Sequence, residues 1–424
     1  MSTDAGVPDH EVRHPQFAAP SAVARATGLA AEDFARDYWS VRPLLRTSAE
    51  LSADGFADLL DATAVDELIS CRGLRTPFLR MAKEGGVLAP ARYTRGGGVG
   101  ATITDQVADD KVLNLIADGA TLVLQALHRT WPPLVQFASA LSAELGHPVQ
   151  INAYITPPQN QGFAAHYDTH DVFVLQVAGR KHWRIHEPVL ADPLVDQPWE
   201  KHRAAVAARA EQAPLIDTDL APGDALYLPR GYLHSAVALG ELSIHLTVGI
   251  HPITRTALVT ELLAAAKTDP RLRGSLPAAV DLADPATLAP HLRDTLVALT
   301  DLLDSGGDEL TARVAAGLGA TLAAGTRPEP IAPLAQAELL AAMTPDTALR
   351  LRAGLRYTLS SDDTGVHLRV LDKTVTMPAT AETALKTVLS GATFRPADLP
   401  GLDADEQLVL ARRLLREAVI VPAS

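Results

Sequence analysis

Gln161-Gly-Phe-Ala-Ala-His166-Tyr-Asp168-Thr-His-Asp-Val-Phe-Val-Leu-Gln-Val-Ala-Gly-Arg-Lys181-His-Trp-Arg-Ile-His-Glu187 decides how this 424-residue chain is read. The stretch predicts a strand, a loop carrying His-x-Asp, and then a hairpin in which Val172–Val177 and Lys181–Ile185 flank Ala-Gly-Arg. Side chains alternate along extended backbone, so His166 and Asp168 point the same way. One imidazole and one carboxylate at that spacing hold two corners of a metal site. A second imidazole is needed to complete one face of an octahedron. The candidate is His234, which ends Ala221-Pro-Gly-Asp-Ala-Leu-Tyr-Leu-Pro-Arg-Gly-Tyr-Leu-His234. Two histidines and one carboxylate leave open positions on the metal, the donor pattern of non-haem Fe(II) oxygenases.

The strands on either side support an enclosed site. In Val149–Thr156, Gln150, Asn152 and Tyr154 share one face, while Val149, Ile151, Ala153 and Ile155 share the other. Polar groups on one face of such a strand predict a barrel whose interior holds a ligand. Asp224–Leu228 and Ser243–Ile250 read as further strands, the second with His245 and Thr247 on one face. Many short strands around a metal predict a double-stranded β-helix, or jelly roll.

Outside this region the pattern changes twice. Residues 1–20 mix His, Pro and acidic groups without periodicity and read as a disordered arm with no signal-peptide core. Helical spacing appears over Thr27–Trp39, Asp54–Leu60, Ala64–Ser70, Asp109–Ala117 and Pro132–Leu145. Arg95-Gly-Gly-Gly-Val-Gly100 reads as a flexible loop near a site entrance. After Pro252 the chain becomes rich in Ala and Leu, with helices over Thr256–Lys267, His291–Leu303 and Glu309–Leu322. From about Pro345, short strands precede a helix, a short helix, a helix and a strand, the outline of a winged helix. The expected class is α+β, with residues 21–255 as catalytic domain, 256–345 as helical domain and 346–424 as winged-helix-like domain.

Composition narrows the partners. A net charge of -13 disfavours nucleic acid and suits a basic protein or peptide. A lone cysteine, Cys71, excludes an internal disulfide and suits a reducing cytoplasm. No apolar run reaches the length of a membrane helix.

Asn-Ala-Tyr-Ile-Thr-Pro-Pro, Gln-Gly-Phe, His-Tyr-Asp-Thr-His-Asp-Val-Phe-Val-Leu-Gln-Val-Ala-Gly-Arg-Lys-His-Trp, Leu-Pro-Arg-Gly-Tyr-Leu-His and Ser-Ile-His-Leu-Thr together resemble the Jumonji-C (JmjC) ribosomal oxygenases, the cupin-4 family. The likeness is most specific from Gly119 to Ile250. It implies a JmjC/cupin core, then a helical dimerisation domain, then a winged helix. It also implies Fe(II) ligands at His166, Asp168 and His234, and a Lys181 ammonium gripping the far carboxylate of 2-oxoglutarate. Asn152 and Tyr154 match positions lining the cosubstrate and substrate pocket, and His245 matches a histidine on a pocket strand. His170, His182 and His186 are not expected to be ligands, and Asp171 and Gln176 are expected to make structural hydrogen bonds.

The implied reaction consumes O2 and 2-oxoglutarate and hydroxylates a histidyl or arginyl side chain of a protein, with a ribosomal protein as partner and a homodimer as assembly. Competing expectations are hydroxylation of a peptide natural product and a non-catalytic metal-binding cupin regulator. Lys181 weighs against the regulator, because a degenerate pocket has no use for a buried cation. A cupin isomerase would carry His-x-His in place of His-x-Asp.

Overall fold

The computed structural model describes residues 21–51, 55–83, 85–100, 102–158 and 164–423. The arm over residues 1–20, the Gln161-Gly-Phe163 segment and Asp54 lie outside them. Among the described residues, eleven strands build the two main sheets of the first region. They are β1 (Leu44–Arg46), β2 (Leu79–Lys83), β3 (Gly86–Val87), β4 (Thr121–Leu124), β5 (Val149–Thr156), β6 (Asp171–Ala178), β7 (Lys181–His186), β8 (Ile216–Leu220), β9 (Ala225–Leu228), β10 (Leu233–Ala238) and β11 (Ser243–Ile250). Eight of them pair in the order β1-β9-β6-β11-β5-β4-β2-β3, and three in the order β8-β7-β10. Every pairing among them is antiparallel.

The two sheets share an apolar layer. Val172, Val174, Leu226 and Leu228 of the large sheet meet Trp183, Ile185, Leu220 and Ala236 of the small one. The other face of the large sheet is covered by helices. Pro132–Leu145 is one of them, with Pro at its start, Gly146 in the left-handed conformation at its end, and Leu134, Phe137, Ala138 and Leu141 buried at helical spacing. Burial along β5 alternates as its sequence requires.

The expected hairpin is not formed. β6 pairs with β9 and β11, whereas β7 pairs with β8 and β10, so the chain passes from one sheet to the other over Gly179-Arg180. Gly179 makes that corner possible. Its φ is +62°, and a Cβ there would run into the Leu242 carbonyl. Gly55–Leu60, expected to be helical, forms turns instead. An additional helix spans Ala22–Thr27, and its first turn is held by Glu144, which accepts from Ser21 Oγ and from the Ala22 and Val23 amides.

Residues 252–326 form a unit of their own, and residues 327–424 group with the first 251. The separate unit contains helices Arg255–Ala266, Pro270–Arg273 and Pro285–Gly325, the last broken at Gly307, where the backbone leaves helical geometry. Leu258, Leu263, Leu292, Leu296 and Leu303 are exposed on this unit. Towards the C-terminus, strands Tyr357–Asp362, Gly365–Val370 and Lys373–Met377 form one sheet, and Leu349–Leu351 pairs with Ile420–Pro422. Helices Glu382–Leu389 and Ala404–Arg416 pack with them around Leu385, Leu410 and Leu414. Helix Pro333–Ala342 joins the same core through Leu339 and Leu340.

Candidate metal centre

Backbone pairing assembles the site. The His166 amide donates to the His234 carbonyl at 3.2 Å, and the His234 amide donates back to the His166 carbonyl at 2.8 Å. Two residues on, the Gly231 amide donates to the Asp168 carbonyl at 3.0 Å. Gly231 sits at φ +90° against Leu190 and Pro193, where no Cβ would fit. The loop before β6 and the turn before β10 are therefore laced to each other, and the residues they carry converge.

One ligand atom from each of His166, Asp168 and His234 lies within 4.8 Å of the others. The two imidazole rings are 4.4 Å apart, and His234 Nε2 is 3.7 Å from Asp168 Oδ2. His166 Nδ1 faces the Ala164 carbonyl at 2.7 Å, and His234 Nδ1 faces the Tyr232 carbonyl at 3.2 Å. Each carbonyl takes an N–H, which fixes the tautomer and assigns Nε2 to metal binding. Burial pushes His234 down to about 4, neighbouring His166 adds to this, and Asp168 opposes it. Burial tends to raise Asp168, but the imidazoles of His170, His234 and His166 outweigh it and hold the carboxyl below its ordinary value. A neutral His234 imidazole and an ionised Asp168 carboxylate are states that metal binding needs, and two imidazoles with one carboxylate fit a divalent cation.

Lys181 faces the same space from β7. It is 3% exposed, and its Nζ donates to Thr156 Oγ1 at 3.1 Å. Burial pushes it down to about 7, with no carboxylate among the described residues offsetting the cost. A buried ammonium without a counter-ion fits an anionic ligand. Its acceptor, Thr156, continues the Asn152–Tyr154 face of β5 by one more alternate position, so extending the parity of that strand would have found it.

A polar row crosses the large sheet: Arg80 stands opposite Val123, Val123 opposite Tyr154, Tyr154 opposite His245, and His245 opposite Gln176. Tyr154 and His245 stack at 5.1 Å with their planes 8° apart. Burial raises Tyr154, partly opposed by the Arg80 guanidinium that hydrogen-bonds it. Burial, followed by the Lys181 charge, holds His245 well below its ordinary value. Asn152 Oδ1 accepts from the Ala126 amide at 3.0 Å. All seven singled-out residues thus lie on the strands and loops of this double sheet.

The remaining histidines separate. His182 points outward between Asp217 and Asp219, at 2.8 and 2.7 Å. His170 stacks on His251 at 4.9 Å and occupies the space that a Cβ on Gly249 would need. Asp171 is fully buried, accepting from Tyr227 Oη at 2.5 Å, Ser40 Oγ at 3.2 Å and the Arg230 amide at 3.1 Å. Gln176 donates to Ala178 and Gly179 carbonyls and to Ser243 Oγ. The contributions of Arg80, Trp183 and Ser40 were not visible in sequence, because each depends on which strand lies alongside.

Comparison with known proteins places the region that carries these residues. Residues 128–258 match the sequence profile of the JmjC domain. The chain is 32% identical to ribosomal oxygenase 1 of Gallus gallus over 221 residues, 52% of this chain and 34% of the relative. It is 28% identical over 306 residues to the bifunctional lysine-specific demethylase and histidyl-hydroxylase NO66 of Aedes aegypti, 66% of this chain and 46% of that protein. Residues 128–258 thus carry a JmjC domain, and the relatives that match around it are ribosomal oxygenases. It spans between a third and a half of the length of those two curated JmjC relatives. Among solved structures, Escherichia coli YcfD, a ribosomal oxygenase, superposes with a TM-score of 0.53 at 18% identity, covering 94% of this chain and 99% of YcfD. A second YcfD structure, in complex with cobalt and 2-oxoglutarate, matches with the same TM-score. The fold is thus of JmjC/cupin type with mixed helix and sheet. Among the described residues, no helix is long and apolar enough to cross a membrane.

Proposed function

We propose that this chain is an Fe(II)- and 2-oxoglutarate-dependent oxygenase that hydroxylates a histidyl or arginyl side chain of a protein, with a ribosomal protein as substrate. The observation carrying this reading is the convergence of His166, Asp168 and His234 in the same interior as a buried Lys181 that has no carboxylate partner among the described residues. His166 and His234 hold the metal through Nε2, and Asp168 offsets part of its charge. Lys181 holds the far carboxylate of 2-oxoglutarate, with Asn152, Tyr154 and His245 lining the cavity. Bound iron with O2 and 2-oxoglutarate supplies the oxidation: the cosubstrate leaves as succinate and CO2, and one oxygen atom enters the substrate as hydroxyl. The chain orients these partners and keeps water out with the apolar layer of Val174, Ile185 and Leu226.

The net charge of -13 suits a basic protein substrate in a cytoplasmic setting. The exposed leucines of residues 252–326 suit a helical dimerisation domain, and residues 346–424 suit a winged helix. Light scattering after size exclusion is expected to give twice the 44.9 kDa chain mass; a monomer at micromolar concentration refutes the dimer.

The test of the activity is anaerobic. Protein loaded with Fe(II) should develop a weak visible charge-transfer band on adding 2-oxoglutarate, and Lys181→Ala should need far more cosubstrate. Asp168→Ala should abolish succinate formation in air. Iron-loaded protein that shows no band, or an Asp168→Ala variant with undiminished turnover, refutes the reading.

A further inference from the structure

Polar atoms buried without a partner are rare, and each one needs an explanation. Among the described residues, two of them meet in the candidate site. Trp183 Nε1 and His245 Nδ1 are both buried with no hydrogen-bond partner, in residues 4% and 3% exposed. Their rings touch, with centroids 5.4 Å apart and planes at 86°. Trp183 neighbours both charged parts of the site. Lys181 Nζ is 6.0 Å from the centre of its indole, and the centre of the His234 ring is 6.2 Å away. Trp183 is on β7, two residues after Lys181, so both face the interior of the double sheet.

An indole N–H can only donate, so this position calls for an acceptor. Among the described residues, none supplies an acceptor within hydrogen-bond reach of this N–H. A ligand running from Lys181 towards the metal ligands passes along the indole, and a dicarboxylate brings acceptor oxygens at both ends.

We propose that Trp183 is a cosubstrate-binding residue whose indole N–H donates a hydrogen bond to an oxygen of bound 2-oxoglutarate. This rests on the oxygenase reading above and adds a donor to the Lys181 cation. Loss of that donor removes one hydrogen bond to a charged acceptor and should weaken cosubstrate binding about tenfold. The ring itself, as a wall beside Lys181 and His234, should tolerate replacement by phenylalanine.

The experiment uses full-length protein loaded with Zn(II), which prevents turnover, and titrated with 2-oxoglutarate. The chain has four tryptophans, and the Trp131 indole already donates to the Leu59 carbonyl. In protein labelled with 15N at the indoles, the Trp183 resonance should shift on adding cosubstrate while that of Trp131 stays in place. W183F should bind 2-oxoglutarate about tenfold more weakly by calorimetry, with unchanged zinc content. If W183F does not fold, W39F, W131F and W199F assign the Trp183 signal by elimination, and the wild-type titration decides. Cosubstrate binding with an unmoved Trp183 resonance, or equal affinity in W183F, overturns the proposal while leaving the oxygenase reading intact; a water as the indole's acceptor gives that result. Failure of zinc-loaded wild type to bind 2-oxoglutarate at all overturns both.

Discussion

Replacing Lys181 by methionine should separate the cost of this side chain from its use. Lys181 is 3% exposed and has Thr156 Oγ1 as acceptor at 3.1 Å, and burial pushes it down to about 7. An unfolded lysine titrates near 10.4, so the gap of roughly three units corresponds to about 4 kcal/mol. Below pH 7 the ammonium is charged in both states, and the whole cost of burying it falls on the folded protein. Between pH 7 and about 10.4 the unfolded chain binds the extra proton, so stability rises with pH and the cost disappears. His245, which feels the Lys181 charge, is held well below its ordinary value and stays neutral throughout this window.

Methionine has similar length and no charge. Lys181→Met should therefore be more stable than wild type by about 2–4 kcal/mol at pH 7, allowing for the lost Thr156 contact, and by little at pH 10. Urea unfolding across that range measures the difference. Added 2-oxoglutarate should stabilise wild type by mass action and leave Lys181→Met unmoved. Equal pH slopes for the two proteins between pH 7 and 10 would refute the reasoning, because they would mean that Lys181 keeps its charge at no cost.

Two further substitutions test the framework around the site. Gly179→Ala should lower stability by more than about 2 kcal/mol, since it adds a Cβ at φ +62° against the Leu242 carbonyl; thermal unfolding at wild-type stability would show that the corner can relax. Asp171→Asn should cost about 2–3 kcal/mol, because Tyr227, Ser40 and the Arg230 amide lose a charged acceptor. A midpoint shift of under one degree would exclude Asp171 as a structural anchor.

The local signals in this chain were strong. Alternation along Val149–Thr156 and the His-x-Asp spacing are properties of neighbouring residues, and both survive in the folded chain. The failure at Val172–Ile185 has the same origin. Period-two patterning reports that two segments are strands, but not which strands they join, and a Gly at φ +62° serves a change of sheet as well as a turn. Arg80, on β2, reaches Tyr154 because β4 lies between their strands, and no local pattern records that register. Asp171 was legible as a hydrogen-bonding residue, whereas its partner Ser40 lies 131 positions away and could not be named.

The paired amides and carbonyls of His166 and His234 do more than orient two rings. Their bonds are made by the polypeptide alone, so the two ligands share one main-chain tether. A substitution that shifts either backbone shifts both rings together, and the spacing between the imidazoles is inherited from the main chain and not from either side chain.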